Sequence, residues 1–360
     1  MISALPWAPS AANPQFAMSG IPIDIEPILN GDRLALSRVL TQIEKDSQEG
    51  RDVLSRLFAH TGNAQLIGVT GAPGTGKSSL VNQLAYQYRH PGEGGLPKRV
   101  AIVAVDPTSP FTGGAVLGDR IRMRDLSGDL EVFIRSMASR GSLGGLARAT
   151  AGMVQAFDAA GFEIILIETV GAGQAEVDIA RLAHTTLVVE APGLGDDIQA
   201  IKAGILEIAD ILVINKADRP GVENTERALR SMLQLAHPAK RVFQHHGGQV
   251  IDEERTEPED DPQWITPLQR TVATEGEGLT ALIGTINAHR QYLQTTGELN
   301  RRERARLAAQ LDDLIESQLV SDWRASLGNG IYEHVLEALE ARQLSPYEAV
   351  QKLIPDEATQ

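Results

Sequence analysis

Cysteine is absent from all 360 residues. Disulfides, thiolate zinc sites and cysteine nucleophiles are therefore excluded, and a chain without thiols fits a reducing compartment. Basic residues are outnumbered, 33 Lys and Arg against 47 Asp and Glu, for a formal net charge of -14 at pH 7. No Lys/Arg-rich block and no interleaving of basic with aromatic residues offers a face to a phosphate backbone, so nucleic acid is not an expected partner. No apolar run approaches the roughly 18 residues of a membrane span, so a membrane is not expected either. Residues 1–32 hold no Lys or Arg, which leaves neither a secretory n-region nor an Arg-rich transit peptide. A cytoplasmic location is the expectation.

What the chain does have is 42% apolar residues, enough for one large or two small domains. The start, MISALPWAPSAANPQFAMSG, is rich in Ala, Pro and Ser without helical period, so residues 1–30 are expected to be a flexible tail. Residues 31–62 carry Leu34, Leu36, Val39, Leu40, Ile43, Val53, Leu54 and Leu57 at helical spacing, which predicts two helices broken near Gly50. Short Val/Ile/Leu runs then follow at 66–69, 100–105, 131–134, 163–167, 186–189 and 211–214, separated by helical or Gly-rich stretches. Buried strands alternating with helices predict an α/β fold, a mostly parallel central sheet flanked by helices, over residues 63–298. The acidic EERTEPEDDP and the neighbouring His245 and His246 suit a solvated insertion. From 299 to 360 the pattern is purely helical. Leu307, Leu311, Leu314 and Ile315 share one face, Val335, Leu336 and Leu339 another, and Ser345 with Pro346 starts a last helix.

The chemistry lies where strands end, the place for ligands in such sheets. Gly71, Ala72, Pro73, Gly74, Thr75, Gly76, Lys77, Ser78 and Ser79 follow the run LIGVT and precede a helical stretch, the setting that a phosphate-binding P-loop requires. Its glycines let backbone N–H groups converge on phosphate oxygens at a helix N-terminus. Lys77 supplies a charge to the β and γ phosphates, and Ser78 a hydroxyl for Mg2+. The run ILVINKAD ends another strand at Asn215, Lys216 and Asp218. One carboxylate can accept both the N1–H and the 2-amino group of guanine, which adenine does not offer, so Asp218 selects guanine. Asn215 faces the N7 and O6 edge, and the Lys216 stem covers the base.

Two carboxylates directly after buried strands, Asp106 and Glu168, suit a nucleotide-bound cation, since burial without one would be costly. Asp119 either joins them or simply ends a Gly-rich loop. Gln174 either orients the attacking water or makes a turn. Phosphoryl transfer to water needs positioning and charge neutralisation above all, so these residues suffice in kind for a GTPase.

Together these residues resemble the MeaB/ArgK/MMAA family of P-loop GTPases, chaperones of adenosylcobalamin-dependent acyl-CoA mutases. The likeness runs over about residues 31–354 and includes GVTGAPGTGKSSL, VDPTSPFTGGAVLGDRIRM, RGSLGGLA, ETVGAGQ, PGLGDDIQAIKAGI, NKAD and SPYEAV. The resemblance implies GTP or GDP held with Mg2+ by Ser78, Asp106, Asp119 and Glu168, with Lys77, Asp106, Glu168 and Gln174 serving hydrolysis. It implies switches at 105–123, 168–176 and 192–202, the last answering to the mutase. It also implies adenosylcobalamin as a cofactor handled through that mutase, a cobalamin adenosyltransferase as a further partner, and a homodimer built on the C-terminal helices at 299–360. The mutase would be methylmalonyl-CoA mutase or a relative such as a hydroxyisobutyryl-CoA mutase. In the family a Ser-Ala pair presents a backbone N–H to guanine O6. Here Ala273 is kept and Val272 replaces the Ser. A metallochaperone GTPase shares the sheet but needs Cys or His clusters, a P-loop ATPase or kinase would have no use for Asn215 and Asp218, and a non-catalytic scaffold would not keep every phosphate residue.

Overall fold

The computed structural model describes residues 23–92, 94–107, 126, 128–139, 145–169, 175–193, 207–235, 263–328 and 330–354; at 106, 107, 138, 139, 145–147, 175–177 and 235 it describes the backbone alone. The chain divides into two compact units, one ending at Arg302 and one beginning at Glu303.

In the first unit seven strands form one parallel sheet, ordered β3-β2-β4-β1-β5-β6-β7. They are β1 (Gln65–Thr70), β2 (Val100–Pro107), β3 (Val132–Ser139), β4 (Ile164–Thr169), β5 (Thr185–Glu190), β6 (Ile211–Asn215) and β7 (Leu268–Thr271). Each of the six apolar runs is a strand. The seventh, LQRT, escaped because its four residues have neither a continuous apolar run nor a clean alternation; pairing with β6 makes it a strand. Because all strands are parallel, their carboxyl ends share one edge.

Alternation along β1 and β4 divides the core. Ile67, Val69, Ile164 and Leu166 pack with Leu80 and Leu84 of α4 (Lys77–Arg89) and with Leu282 and Ile286 of α8 (Leu279–Thr295). On the opposite face Leu66, Ile165 and Ile167 pack with α2 (Arg33–Glu44), α3 (Gln48–Leu57), α5 (Gly145–Ala159) and α6 (Ala175–Leu182). A third cluster seats α7 (Val222–Leu235) against β6.

The N-terminal helices are thus part of the sheet's cover. Glu44 pairs with Arg135 of β3, and Arg33 donates to the carbonyls of Leu130 and Val132. Two expectations are corrected here. The break between α2 and α3 lies at residues 45–47, where Asp46 takes φ 52° and Ser47 caps α3. Gly50 sits inside α3, and its missing side chain serves proximity: a Cβ there would lie 2.9 Å from the Gln42 carbonyl. The expected tail of residues 1–30 is also too long, because α1 (Glu26–Leu29) places Ile28 fully inside the core.

At the amino ends of β5 and β6 lies a buried polar hub that the sequence did not announce. The Asp210 carboxylate accepts from Thr186 N at 2.8 Å, from Arg302 Nη2 at 3.1 Å and from Arg302 Nη1 at 3.2 Å. His289 Nε2 lies 3.3 Å from it, and Trp264 Nε1 donates to the Asp210 carbonyl at 2.8 Å. Burial pulls the Arg302 guanidinium down, but Asp210 and Glu298 more than offset this and leave it above its ordinary value.

Arg302 belongs to the first turns of α9 (Glu298–Ser326). The second unit holds the remainder of α9 together with α10 (Ile331–Glu340) and α11 (Pro346–Leu353). Ser345 and Glu348 close a capping box at the start of α11. Leu311, Leu314, Ile315, Leu319 and Val320 of α9 are exposed, an apolar stripe on a helix with no buried residue. No described helix is long and apolar enough to cross a membrane.

Candidate functional site

Between β1 and α4 the chain makes the phosphate loop. At Gly71 φ is 134°, and a Cβ there would lie 2.1 Å from the Val189 carbonyl oxygen, so only glycine lets the loop leave the sheet at this point. Gly76 caps α4 in the left-handed region, which aims the first helical N–H groups into the loop. Thr75 folds back onto the Ala72 carbonyl through its backbone N–H and its hydroxyl. Pro73, Gly74 and Ser79 line the exposed rim.

The buried Lys77 spans this cradle, donating from Nζ to the carbonyls of Gly71 at 2.8 Å and Ala72 at 2.9 Å. A phosphate oxygen arriving there exchanges with carbonyls, which are weaker acceptors than an anion. The next residue, Ser78, donates its hydroxyl to Glu168 Oε1 at 2.6 Å. Glu168 is the penultimate residue of β4, on the α4 face, and is 3% exposed. A hydroxyl and a buried carboxylate meeting beside a phosphate cradle are oxygen donors of the kind a hard divalent cation takes, so the residues present fit Mg2+. Asp106 stands at the carboxyl end of neighbouring β2, two residues beyond Ala104, the register partner of Glu168. Among the described residues no group of three or more His, Asp or Glu side chains forms a metal cluster by itself. Asp119 and Gln174 lie outside the described residues, as do most of the three candidate switches, the acidic insertion and its two histidines.

At the base end, Asn215 is held by protein partners. Its Nδ2 donates to the Thr75 carbonyl at 2.9 Å, and its Oδ1 accepts from Ala273 N at 3.1 Å and Thr271 Oγ1 at 3.2 Å. Through both amide atoms this side chain joins the phosphate loop, β6 and the turn after β7. The Ala273 N–H expected at guanine O6 is likewise given to Asn215. Thr271, which the motif reading passed over, also accepts Ala217 N on its carbonyl at 3.1 Å. Its only signal in the sequence is a hydroxyl residue at the end of a strand two positions before the small Ala273.

Lys216 takes φ 58° and reaches back to the Gly74 carbonyl at 2.6 Å, so its stem spans the space between the two loops. Asp218 is exposed in the turn before α7. Val272 is 5% exposed and bridges to Glu277, which accounts for an apolar residue there. Glu226 of α7 accepts from Arg230 at 2.7 Å and from Arg270 Nε of β7 at 2.7 Å. Hydrogen bonds from Arg230 and then Arg270 hold its carboxyl below the usual range. This pair ties the helix following Asp218 to the strand leading to Ala273.

Comparison with known proteins agrees with this arrangement. The family model described as methylmalonyl Co-A mutase-associated GTPase MeaB matches residues 36–327. A protein of Pyrococcus abyssi named as a GTPase is 40% identical over 332 residues, covering 92% of this chain and 95% of its own. The mouse methylmalonic aciduria type A homolog, mitochondrial, is 28% identical over 312 residues, 82% of this chain and 69% of that one. A solved LAO/AO transport system kinase superposes with a TM-score of 0.62 at 24% identity, over 91% of this chain and 94% of its own, and shares the fold. With its phosphate cradle and guanine motif on one sheet edge, the chain is a guanine-nucleotide-binding GTPase, and it belongs to the MeaB family of P-loop GTPases.

Proposed function

We propose that this GTPase is the nucleotide-gated chaperone of an adenosylcobalamin-dependent acyl-CoA mutase, methylmalonyl-CoA mutase or a relative such as a hydroxyisobutyryl-CoA mutase. The observation that carries the reading is the match of residues 36–327 to a family described by its association with methylmalonyl-CoA mutase. Nucleotide state would gate cofactor loading and removal of damaged cofactor, with a cobalamin adenosyltransferase as the supplier. A nucleotide shifts a partner only by its differential affinity for two states, typically about 1–3 kcal/mol.

In this reading Gly71, Ala72, Pro73, Gly74, Thr75, Gly76, Lys77, Ser78 and Ser79 hold the phosphates. Asp218 reads guanine, with Asn215, Lys216 and Ala273 framing the base. Ser78, Glu168, Asp106 and Asp119 would hold Mg2+, which when bound offsets charge on the β and γ phosphates. Lys77 leaves its two carbonyls for the γ-phosphate, and Gln174 orients the water. The exposed stripe from Leu311 to Val320 is covered by a second copy of the chain, so the working form is a homodimer. Its place is the cytoplasm.

The test is copurification of the mutase followed by GTPase assays with and without it. Acceleration by the mutase is expected, and it should vanish in Lys202→Ala while GTP affinity is kept. A mutase that neither binds nor accelerates hydrolysis overturns the proposal.

A further inference from the structure

Glu168 is fixed from two sides of the sheet. On the α4 face its carboxylate takes the Ser78 hydroxyl at 2.6 Å. One residue on and pointing to the opposite face, Thr169 donates from Oγ1 to Thr70 Oγ1 at 2.9 Å. Both threonines are 0% exposed and end their strands, Thr70 directly before the phosphate loop and Thr169 directly after Glu168. In the β1–β4 register Val69 stands beside Glu168, so the two hydroxyls join neighbouring positions one step further along the ladder. Elsewhere on this face the two strands present Leu66, Ile165 and Ile167. A pair of hydroxyls is the exception in an apolar surface, and valine would fill the same space.

We infer that Thr169, held by Thr70, is a positioning residue for the GTPase reaction. The hydroxyl link fixes the peptide between Glu168 and Thr169 against the root of the phosphate loop, so the Glu168 carboxylate stays in reach of Ser78 and of a nucleotide-bound cation. Turning the shared peptide, as distinct from rotating the Glu168 side chain about its own torsions, would carry the root of the carboxylate away from Ser78 and break the link on the far side. The pair therefore resists movement of the backbone that carries the carboxylate while leaving the base end of the site untouched. The inference rests on the assignment of Ser78 and Glu168 to Mg2+ and is independent of any mutase.

The experiment follows release of a fluorescent N-methylanthraniloyl GDP from the full chain across a Mg2+ titration, alongside GTP turnover and thermal midpoints. Thr169→Val should raise the Mg2+ needed to slow release, and lower kcat, each by about tenfold, the equivalent of roughly 1.4 kcal/mol. Nucleotide affinity without Mg2+ should stay within about twofold. Thr169→Ser should restore both. Replacing both partners of a buried hydrogen bond by apolar groups of the same shape is nearly neutral for stability, so Thr70→Val with Thr169→Val should recover the thermal midpoint but not the Mg2+ response. If the double variant recovers both, the pair is packing alone and the inference falls. Ser78→Ala is the reference. A shift there without one in Thr169→Val overturns this inference only, and no shift in Ser78→Ala overturns the metal assignment with it.

Discussion

Replacing Asp210 by Asn would show how far one buried carboxylate supports the opposite edge of the sheet. The side chain is 4% exposed and takes three donors, Thr186 N and two Arg302 nitrogens, at 2.8 to 3.2 Å. An amide of the same shape keeps one oxygen, which serves Thr186 N, but turns an NH2 group toward a donor nitrogen of Arg302. The Arg302 guanidinium, 13% exposed, then stays charged without its counter-ion. Removing one partner of a buried ion pair costs about 3–5 kcal/mol, against a typical total stability of about 5–15 kcal/mol. Urea unfolding followed through tryptophan fluorescence is suited to this, because Trp264 donates to the Asp210 carbonyl. With a slope of about 3 kcal/mol per molar, the midpoint should fall by roughly 1 M or more. The compensating variant, Asp210→Asn with Arg302→Met, should regain most of that loss, since neutral replacement of the whole pair removes the stranded cation. A shift under about 0.3 M in Asp210→Asn, or no recovery in the double variant, would refute the assignment of the cost to Arg302.

Four further outcomes are expected. Lys77→Ala should lower kcat/KM for GTP by about a hundredfold or more, read by phosphate release, because the cation held at the Gly71 and Ala72 carbonyls is lost. Asp218→Ala should weaken GDP binding by about 1.5–3 kcal/mol and largely erase the preference over adenine nucleotides in competition titrations. Glu226 has a folded-state pKa below its ordinary 4.5, so its contribution is full above that value and is lost as pH falls through the lower, folded one. The thermal-midpoint gap between wild type and Glu226→Gln should therefore be widest near neutrality and close in acid; a gap that widens in acid contradicts the clamp. Gly50→Ala should cost about 1–3 kcal/mol in chemical denaturation through overpacking of α3 on α2, with nucleotide binding retained.

Features carried by residue identity and spacing were legible in the sequence. Strands buried on both faces read as continuous Val/Ile/Leu runs, and the phosphate loop and the Asn-Lys-x-Asp motif fixed the ligand before any fold was known. What stayed hidden depends on proximity. Thr185, Thr186, Asp210, Trp264, His289 and Arg302 are scattered through the chain, and each alone reads as an ordinary polar or aromatic residue until the sheet gathers them. Gly50 was read as a helix break because composition cannot separate a glycine needed for its torsion from one needed for its small size. Asn215 was assigned to the base because the motif names the residue type, whereas its geometry spends both amide atoms on protein partners.

That last arrangement bears on how the nucleotide is captured. Thr75, Asn215, Thr271 and Ala273 are joined to one another, and Lys216 spans to Gly74. Ordering a rotamer-rich side chain on binding typically costs about 0.5–1.5 kcal/mol, and here that ordering precedes the encounter. A substitution at any one of these four positions therefore loosens the phosphate loop, β6 and the turn after β7 together.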